Sequence, residues 1–310
     1  MKMAIFGFCI ACLIAAAVGP AAEPPAQKSL TAAEILAVAK AEDWRALDPE
    51  NTLYLELATG RVIIELAPAF APQHAANIKA LAREHYYDGL AIIRVQDNYV
   101  VQWGDPNAEK PEAARKIRKA RPTLPAEFDR AIDGQVPFTP LPDGDVYAAE
   151  VGLSAGFPVA RDKGSNRMWL VHGYGMAGAA RGNTVDSGGG AEIYVVIGQA
   201  PRHLDRNITL FGRVLKGMEL LSSLPRGNGT MGFYEKPEQL VAIKSVRVAA
   251  DVPLAERSDL EVMRTDSETF RRLVEARRNR SDEWFVYKAG RIELGNVPVP
   301  VRGKGAPAGK

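Results

Sequence analysis

The sequence predicts a mainly β fold, a closed and mostly antiparallel barrel accompanied by two α-helices. Two observations carry this expectation. Leu53, Leu55 and Leu57 alternate with Tyr54 and Glu56, and after Thr59-Gly60 the alternation resumes at Val62, Ile64 and Leu66, the pattern of a half-buried hairpin. Further short strand-like runs follow at 91–95, 99–103, 167–171, 192–198, 209–214 and 240–248. So many short strands are best accommodated by closure, which removes the unpaired edges they would otherwise present.

Taken in order, the first 22 residues have the form of an export signal. Lys2 gives a positive start, an apolar run extends from Ala4 to Val18, and Gly19, Ala21 and Ala22 offer cleavage positions. A membrane anchor is the alternative, but the run falls short of the roughly 20 apolar residues a bilayer demands. Both cysteines, Cys9 and Cys12, lie in this segment, so a cleaved polypeptide has neither disulfide nor thiol, which suits an oxidising compartment. A lipid-modified Cys12 is a further alternative. Residues 23–30 read as a Pro/Ala-rich leader, and Thr31 with Glu34 has capping-box spacing for a helix to about residue 42 that packs through Ile35, Leu36 and Val38.

The main domain spans 50–252. Pro72 suits a helix start, and Ile78, Leu81 and Ala82 carry helical spacing to His85, where Asp88-Gly89 follows as a stop. From about 107 to 166 periodicity weakens while proline, glycine and charge rise, which predicts a largely irregular insertion pinned by Phe128 and Tyr147. A second helix falls at 216–224. Residues 253–310 form an α/β C-terminal extension: Phe270, Leu273 and Val274 share one face of a helix starting near Asp266, and 284–294 reads as a strand pair before a disordered Gly/Pro/Lys-rich end. Arg277, Arg278 and Arg280 fall in that helix's last turns, as a solvated end favoured by the dipole or as a site for an acidic partner.

Composition excludes several functions. The protein has 39 basic against 37 acidic residues, a formal charge of +2, so nothing global draws it to nucleic acid or anionic lipid. His74, His85, His172 and His203 lack ligand spacing and read as surface or hydrogen-bonded structural histidines. Gly188-Gly189-Gly190 precedes a strand, not a helix, so it permits close backbone approach and is no phosphate cradle. No metal and no cofactor is expected.

What stands out is Arg94-Val95-Gln96-Asp97-Asn98-Tyr99-Val100-Val101-Gln102-Trp103-Gly104-Asp105-Pro106. An arginine, an aromatic five residues on, an inward Gln after it and a Gly-Asp-Pro close resemble the active-site stretch of the cyclophilins. Gly175-Met176-Ala177-Gly178 is similar to that family's substrate-contacting loop, residues 192–197 to its next strand, and Leu204-Asp205 through Phe211-Gly212-Arg213-Val214 to its Leu-Asp…Phe-Gly-Lys-Val signature. The resemblance covers about residues 50–250. It implies an eight-stranded cyclophilin-like barrel with two capping helices and a peptidyl-prolyl cis/trans isomerase.

The chemistry fits this inventory. Rotation about X-Pro meets a barrier of about 18–20 kcal/mol from amide conjugation, yet no bond breaks, so no nucleophile, proton shuttle or metal is needed. By matched position, Arg94 donates to the twisted amide. Tyr99, Val100 and Leu204 line the proline cup, Tyr194 floors it and Gln102 binds substrate backbone. Ala177 and Gly178 present backbone, and Glu192 and Ile208 complete the rim. The sequence departs from the family at His203 (often Trp), Ile208 (often His), Trp103 (usually Gly), Gly178 (usually Asn) and Glu192 (usually Gln), so the rim is altered while the arginine is kept. The implied partners are proline-containing segments of unfolded or partly folded proteins, in a periplasmic or secreted location. A non-catalytic chaperone or scaffold built on the same barrel is the alternative.

Overall fold

The computed structural model describes residues 30–280, 282 and 284–306. The export signal, both cysteines, most of the leader and the last four residues lie outside the described residues.

Helix α1 (Ala32–Ala37) begins as the capping box predicts: Glu34 N donates to Thr31 Oγ1 at 3.2 Å, and Thr31 N donates to the Glu34 carboxylate at 2.7 Å. It stops before residue 42, because Lys40 N donates instead to Asp43 at 2.9 Å and a 3₁₀ turn forms at Ala41–Asp43. Strand β1 (Trp44–Ala46) follows, then the predicted hairpin β2 (Thr52–Leu57) and β3 (Gly60–Leu66), with Leu57 opposite Gly60. Pro72 opens α2 (Pro72–Arg83), where its missing N–H leaves nothing unpaired. Strands β4 (Ala91–Val95) and β5 (Val100–Gly104) pair antiparallel.

The insertion corrects the expectation of irregular structure. It contributes β6 (Arg130–Ala131), β7 (Thr139–Pro140), β8 (Glu150–Ser154) and β9 (Phe157–Asp162), which join β10 (Arg167–Leu170) in a five-stranded sheet ordered β6-β10-β9-β8-β7. Its faces serve two cores. Val151, Leu153, Ala160 and Trp169 pack with Trp44, Phe270 and Leu273, while Phe157, Val159, Met168 and Leu170 pack with Val100, Met176 and Tyr194. A sheet buried on both sides shows no apolar/polar alternation, so the period-2 signal vanishes. The β8–β9 turn is equally silent, because Ala155 (φ 47°) and Gly156 (φ 93°) both adopt left-handed backbone without the Asn-Gly that usually marks it.

The barrel continues through β11 (Met176–Ala179), β12 (Ile193–Val196), β13 (Leu210–Lys216), the short helix α3 (Met218–Ser222) and β14 (Val241–Val248). It closes in the order β11-β12-β5-β4-β14-β2-β3-β13, eight antiparallel strands. The 167–171 run belongs to the inserted sheet, and its place in the barrel is taken by Met176–Ala179, expected as a loop. That strand is short and made mostly of Ala and Gly, so no β-propensity advertised it.

In the extension, β15 (Leu260–Met263) lies between β1 and β16 (Val301–Gly303) in a separate three-stranded sheet. Helix α4 (Glu268–Arg278) is capped by Ser267, whose hydroxyl accepts from Phe270 N at 3.1 Å. No strand pair forms at 284–294 among the described residues; the ordered strand is 301–303. Arg278 is no solvated helix end, since it grips Asp143 of the insertion at 2.6 and 2.8 Å.

Candidate active site

Strands β4 and β5 run side by side, which sets Arg94 opposite Gln102 across the ladder. The Gly-rich segment after α3 comes back along β4, with Gly227 N donating to Val95 O at 2.9 Å and Tyr234 N to Ile93 O at 2.9 Å. That close approach requires Gly232: its φ is +79°, and a Cβ there would meet Gln96 Cα at 2.7 Å.

The segment fixes the arginine. Arg94 Nε donates to Met231 O at 2.7 Å, Nη1 donates to Gln102 Oε1 at 3.1 Å, and Nη2 donates to Gln96 Oε1. The guanidinium also lies 5.6 Å from the Tyr99 ring centroid and 5.3 Å from that of Phe233. Of its five N–H donors three are engaged, leaving two for another molecule. Half-burial makes its charge costlier than in water, with Tyr99 weakly opposing that effect. Gln102, 6% exposed, has one amide orientation, because its Nε2 donates to Glu192 Oε2 at 2.7 Å. Burial lifts the Glu192 carboxyl above its ordinary range, Gln102's hydrogen bond opposes this, and Glu109 and Asp105 add to it.

Arg94, Tyr99, Val100, Gln102, Glu192, Tyr194, Leu204 and Ile208 all border one open cavity of about 540 Å³. Val100 and Tyr194 are buried at its base. The Tyr194 hydroxyl reaches His172 Nε2 at 2.8 Å, while His172 Nδ1 lies 2.9 Å from Asp205 Oδ1. Burial pushes the His172 pKa down and Asp205 pulls against it. His172 and His74 are thus hydrogen-bonded and buried, His74 between Glu127 and Gly188 O. Along the rim His203 stacks on Tyr99, centroids 6.2 Å apart.

Ala177 and Gly178 stand elsewhere than the cavity wall. Both lie within β11, paired to β12 on one side and β13 on the other, and the Ala177 side chain points into the barrel core. Gly178 is covered by the Tyr194 ring; a Cβ there would sit 2.3 Å from its hydroxyl. The wall is supplied instead by Ala180, Arg181 and Gly182. Met231, Phe233 and Gln96, the groups that hold Arg94, escaped sequence reasoning. The one cue was an aromatic closing a Gly-rich run, G-N-G-T-M-G-F.

A family model described as cyclophilin type peptidyl-prolyl cis-trans isomerase/CLD matches residues 52–248. A protein of Brucella suis bearing the name "Probable peptidyl-prolyl cis-trans isomerase" is 27% identical over 213 residues, covering 66% of this protein and 88% of the relative. A Synechocystis relative named for a thylakoid lumen peptidyl-prolyl cis-trans isomerase is 24% identical over 220 residues, 65% of this protein and 54% of its own length. Among solved structures, the cyclophilin AquaCyp293 from Hirschia baltica superposes with a TM-score of 0.66 at 28% identity, covering 84% of this protein and 94% of its own length. That coverage exceeds the span of 52–248, so the likeness extends into the flanking segments. With an eight-stranded barrel and a family match over most of its length, the chain belongs to the cyclophilin-type peptidyl-prolyl cis-trans isomerases.

Proposed function

We propose that the protein accelerates X-Pro isomerisation in exported polypeptides, with Arg94 as the catalytic group. The observation that supports this is a guanidinium held by three ties at the lip of an apolar hollow with two donors left over. One donor binds the carbonyl preceding proline; the other reaches the prolyl nitrogen, which regains its lone pair only as the amide twists. That second contact strengthens along the reaction and therefore lowers the barrier, whereas a contact equal in both states would not. A 10⁵-fold acceleration needs about 7 kcal/mol, within reach of charge-assisted hydrogen bonds once the bound peptide covers the site from water.

Tyr99, Val100 and Leu204 receive the proline ring on a floor made by Tyr194, and Ile208 extends that wall. Gln102 binds substrate backbone, its amide turned by Glu192 so that its oxygen faces Arg94. Ala177 and Gly178 act from behind, as the narrow strand against which the Tyr194 ring lies. The 1–22 segment directs export and is removed by cleavage, and the working compartment is the periplasm or the exterior. The lumenal name of the Synechocystis relative accords with this, and among the described residues no helix is long and apolar enough to cross a membrane. Protease-coupled isomerisation of several X-Pro peptides tests the activity. A protein as inert as its Arg94→Ala variant, both still suppressing aggregation of an unfolded client, would instead be the non-catalytic binding module.

A further inference from the structure

A second cavity, of about 560 Å³, opens where the C-terminal extension meets the barrel and shares no lining residue with the Arg94 hollow. Helix α4 buries Phe270, Leu273 and Val274, and the same face ends in Arg277, seven, four and three residues further on. A charged side chain on a buried face normally brings a partner. Its neighbour Arg278 does, binding Asp143, Glu275 and Gly290 O.

Arg277 does not. Its Nε is buried and without a hydrogen-bond partner among the described residues. Arg280 stands beside it, its guanidinium 4.7 Å from the Phe285 ring centroid. Burial disfavours the charged form of Arg277, and the like charge of Arg280 adds to this. The remaining arginines on the wall are already neutralised, Arg202 by Asp145 and Asp205, and Arg213 by Glu65. Glu293, also on the wall, forms no ion pair with Arg277 or Arg280 among the described residues. Pro158 and Val299, both partly exposed, give the same cavity an apolar lining. Two neighbouring guanidinium forks without a counter-ion among the described residues, in a chamber of ligand size with an apolar side, call for an oxyanion attached to something apolar.

We propose that this cavity binds a peptide segment through a carboxylate seated between Arg277 and Arg280, with a neighbouring apolar side chain against Pro158 and Val299. A planar guanidinium takes a carboxylate bidentately. A bare inorganic anion would leave the apolar wall unused, which favours a peptide. The carboxylate comes from an acidic side chain or from the C-terminal end of a polypeptide, and the test separates these.

Three fluorescent peptides of one apolar sequence are titrated against the mature protein by anisotropy. One carries internal Glu and an amidated end, one Gln and an amidated end, one Gln and a free carboxylate. The expected result is that at least one carboxylate peptide binds about tenfold or more tighter than the neutral one, about 1.4 kcal/mol, and that added salt weakens it. The double variant Arg277→Gln/Arg280→Gln loses that advantage while isomerase activity and melting temperature hold. Should that variant fold poorly, Asn296→Asp, an exposed and nearly isosteric change that keeps both arginines and supplies a carboxylate on the cavity wall, is expected to abolish the preference. Equal binding of all three peptides, a preference that survives the substitutions, or displacement by phosphate alone with no contribution from the peptide would each overturn the proposal. The isomerase reading stands or falls separately, on Arg94.

Discussion

Replacing Arg94 by alanine removes five donors at once, and their disposition sets the expected loss. Three serve Met231 O, Gln102 and Gln96, so their removal disturbs the site; two are left for substrate. Only the contact to the twisting nitrogen strengthens in the transition state. Deleting one preorganised donor of this kind costs about 10²–10³ in rate, or about 3–4 kcal/mol. We therefore expect kcat/KM for X-Pro peptides to fall about 10²–10³-fold in Arg94→Ala. The fall should lie mostly in kcat, because the apolar cup of Tyr99, Val100 and Tyr194 still binds proline. Arg94→Lys keeps the charge but offers a compact ammonium that cannot hold three planar ties and still reach substrate, so it should recover only a minor part. The assay is protease-coupled isomerisation at low temperature, with circular dichroism and thermal melting to certify the fold. A folded Ala variant within about threefold of the parent, under about 0.7 kcal/mol, refutes the reasoning.

Other consequences are equally open to measurement. The raised carboxyl of Glu192 keeps its proton to higher pH in the folded than in the unfolded state, so its penalty is absent below about pH 4.5 and grows as pH rises through the folded value. Glu192→Gln should thus gain stability over the parent at pH 7–8 but not at pH 4 in urea titrations, and a pH-independent difference would sink the idea. Tyr194→Phe leaves the buried His172 Nε2 without its partner and should cost about 1–3 kcal/mol by denaturant unfolding. An unchanged midpoint would mean that water replaces the hydroxyl. Gly178→Asn, which restores the family's usual residue, should destabilise by about 1–3 kcal/mol because its Cβ falls on the Tyr194 ring; a neutral outcome would show that the ring can swing aside. Arg278→Ala unties the extension from Asp143 and should cost about 2 kcal/mol, with faster proteolysis within 253–310 as its signature.

Much of the barrel was legible, for a physical reason. The hairpin at Leu53–Leu66 sends Leu53, Leu55, Leu57, Val62, Ile64 and Leu66 into the barrel core. Glu56, Arg61 and Glu65 interrupt the other face, so the alternation survives although Tyr54 and Ile63 are buried in a second cluster. The inserted sheet was illegible because Val151 and Val159 are both buried, yet in different cores. Strand Met176–Ala179 was illegible because its small residues are dictated by what lies on top of them, chiefly the Tyr194 ring over Gly178. Within the site, side chains on strands β4 and β5 were legible through the resemblance of the 94–106 stretch to the cyclophilins. Met231 could not, since it acts through a backbone carbonyl in left-handed conformation (φ 55°), a role indifferent to side-chain type. Phe233 meets Arg94 only because the backbone returns more than a hundred residues later.

The three-stranded sheet imposes an order on biogenesis. Trp44–Ala46 is among the first ordered segments to be made, but its neighbour is Leu260–Met263, and that strand is flanked in turn by Val301–Gly303. The ribosome must make, or a translocation pore must deliver, everything between Ala46 and Leu260 before this seam can zip. Such long-range closure is intrinsically slow. Under the export proposed above, that delay is useful, because Trp44–Ala46 and Leu260–Met263 cannot lock together while one of them is still on the wrong side of a membrane.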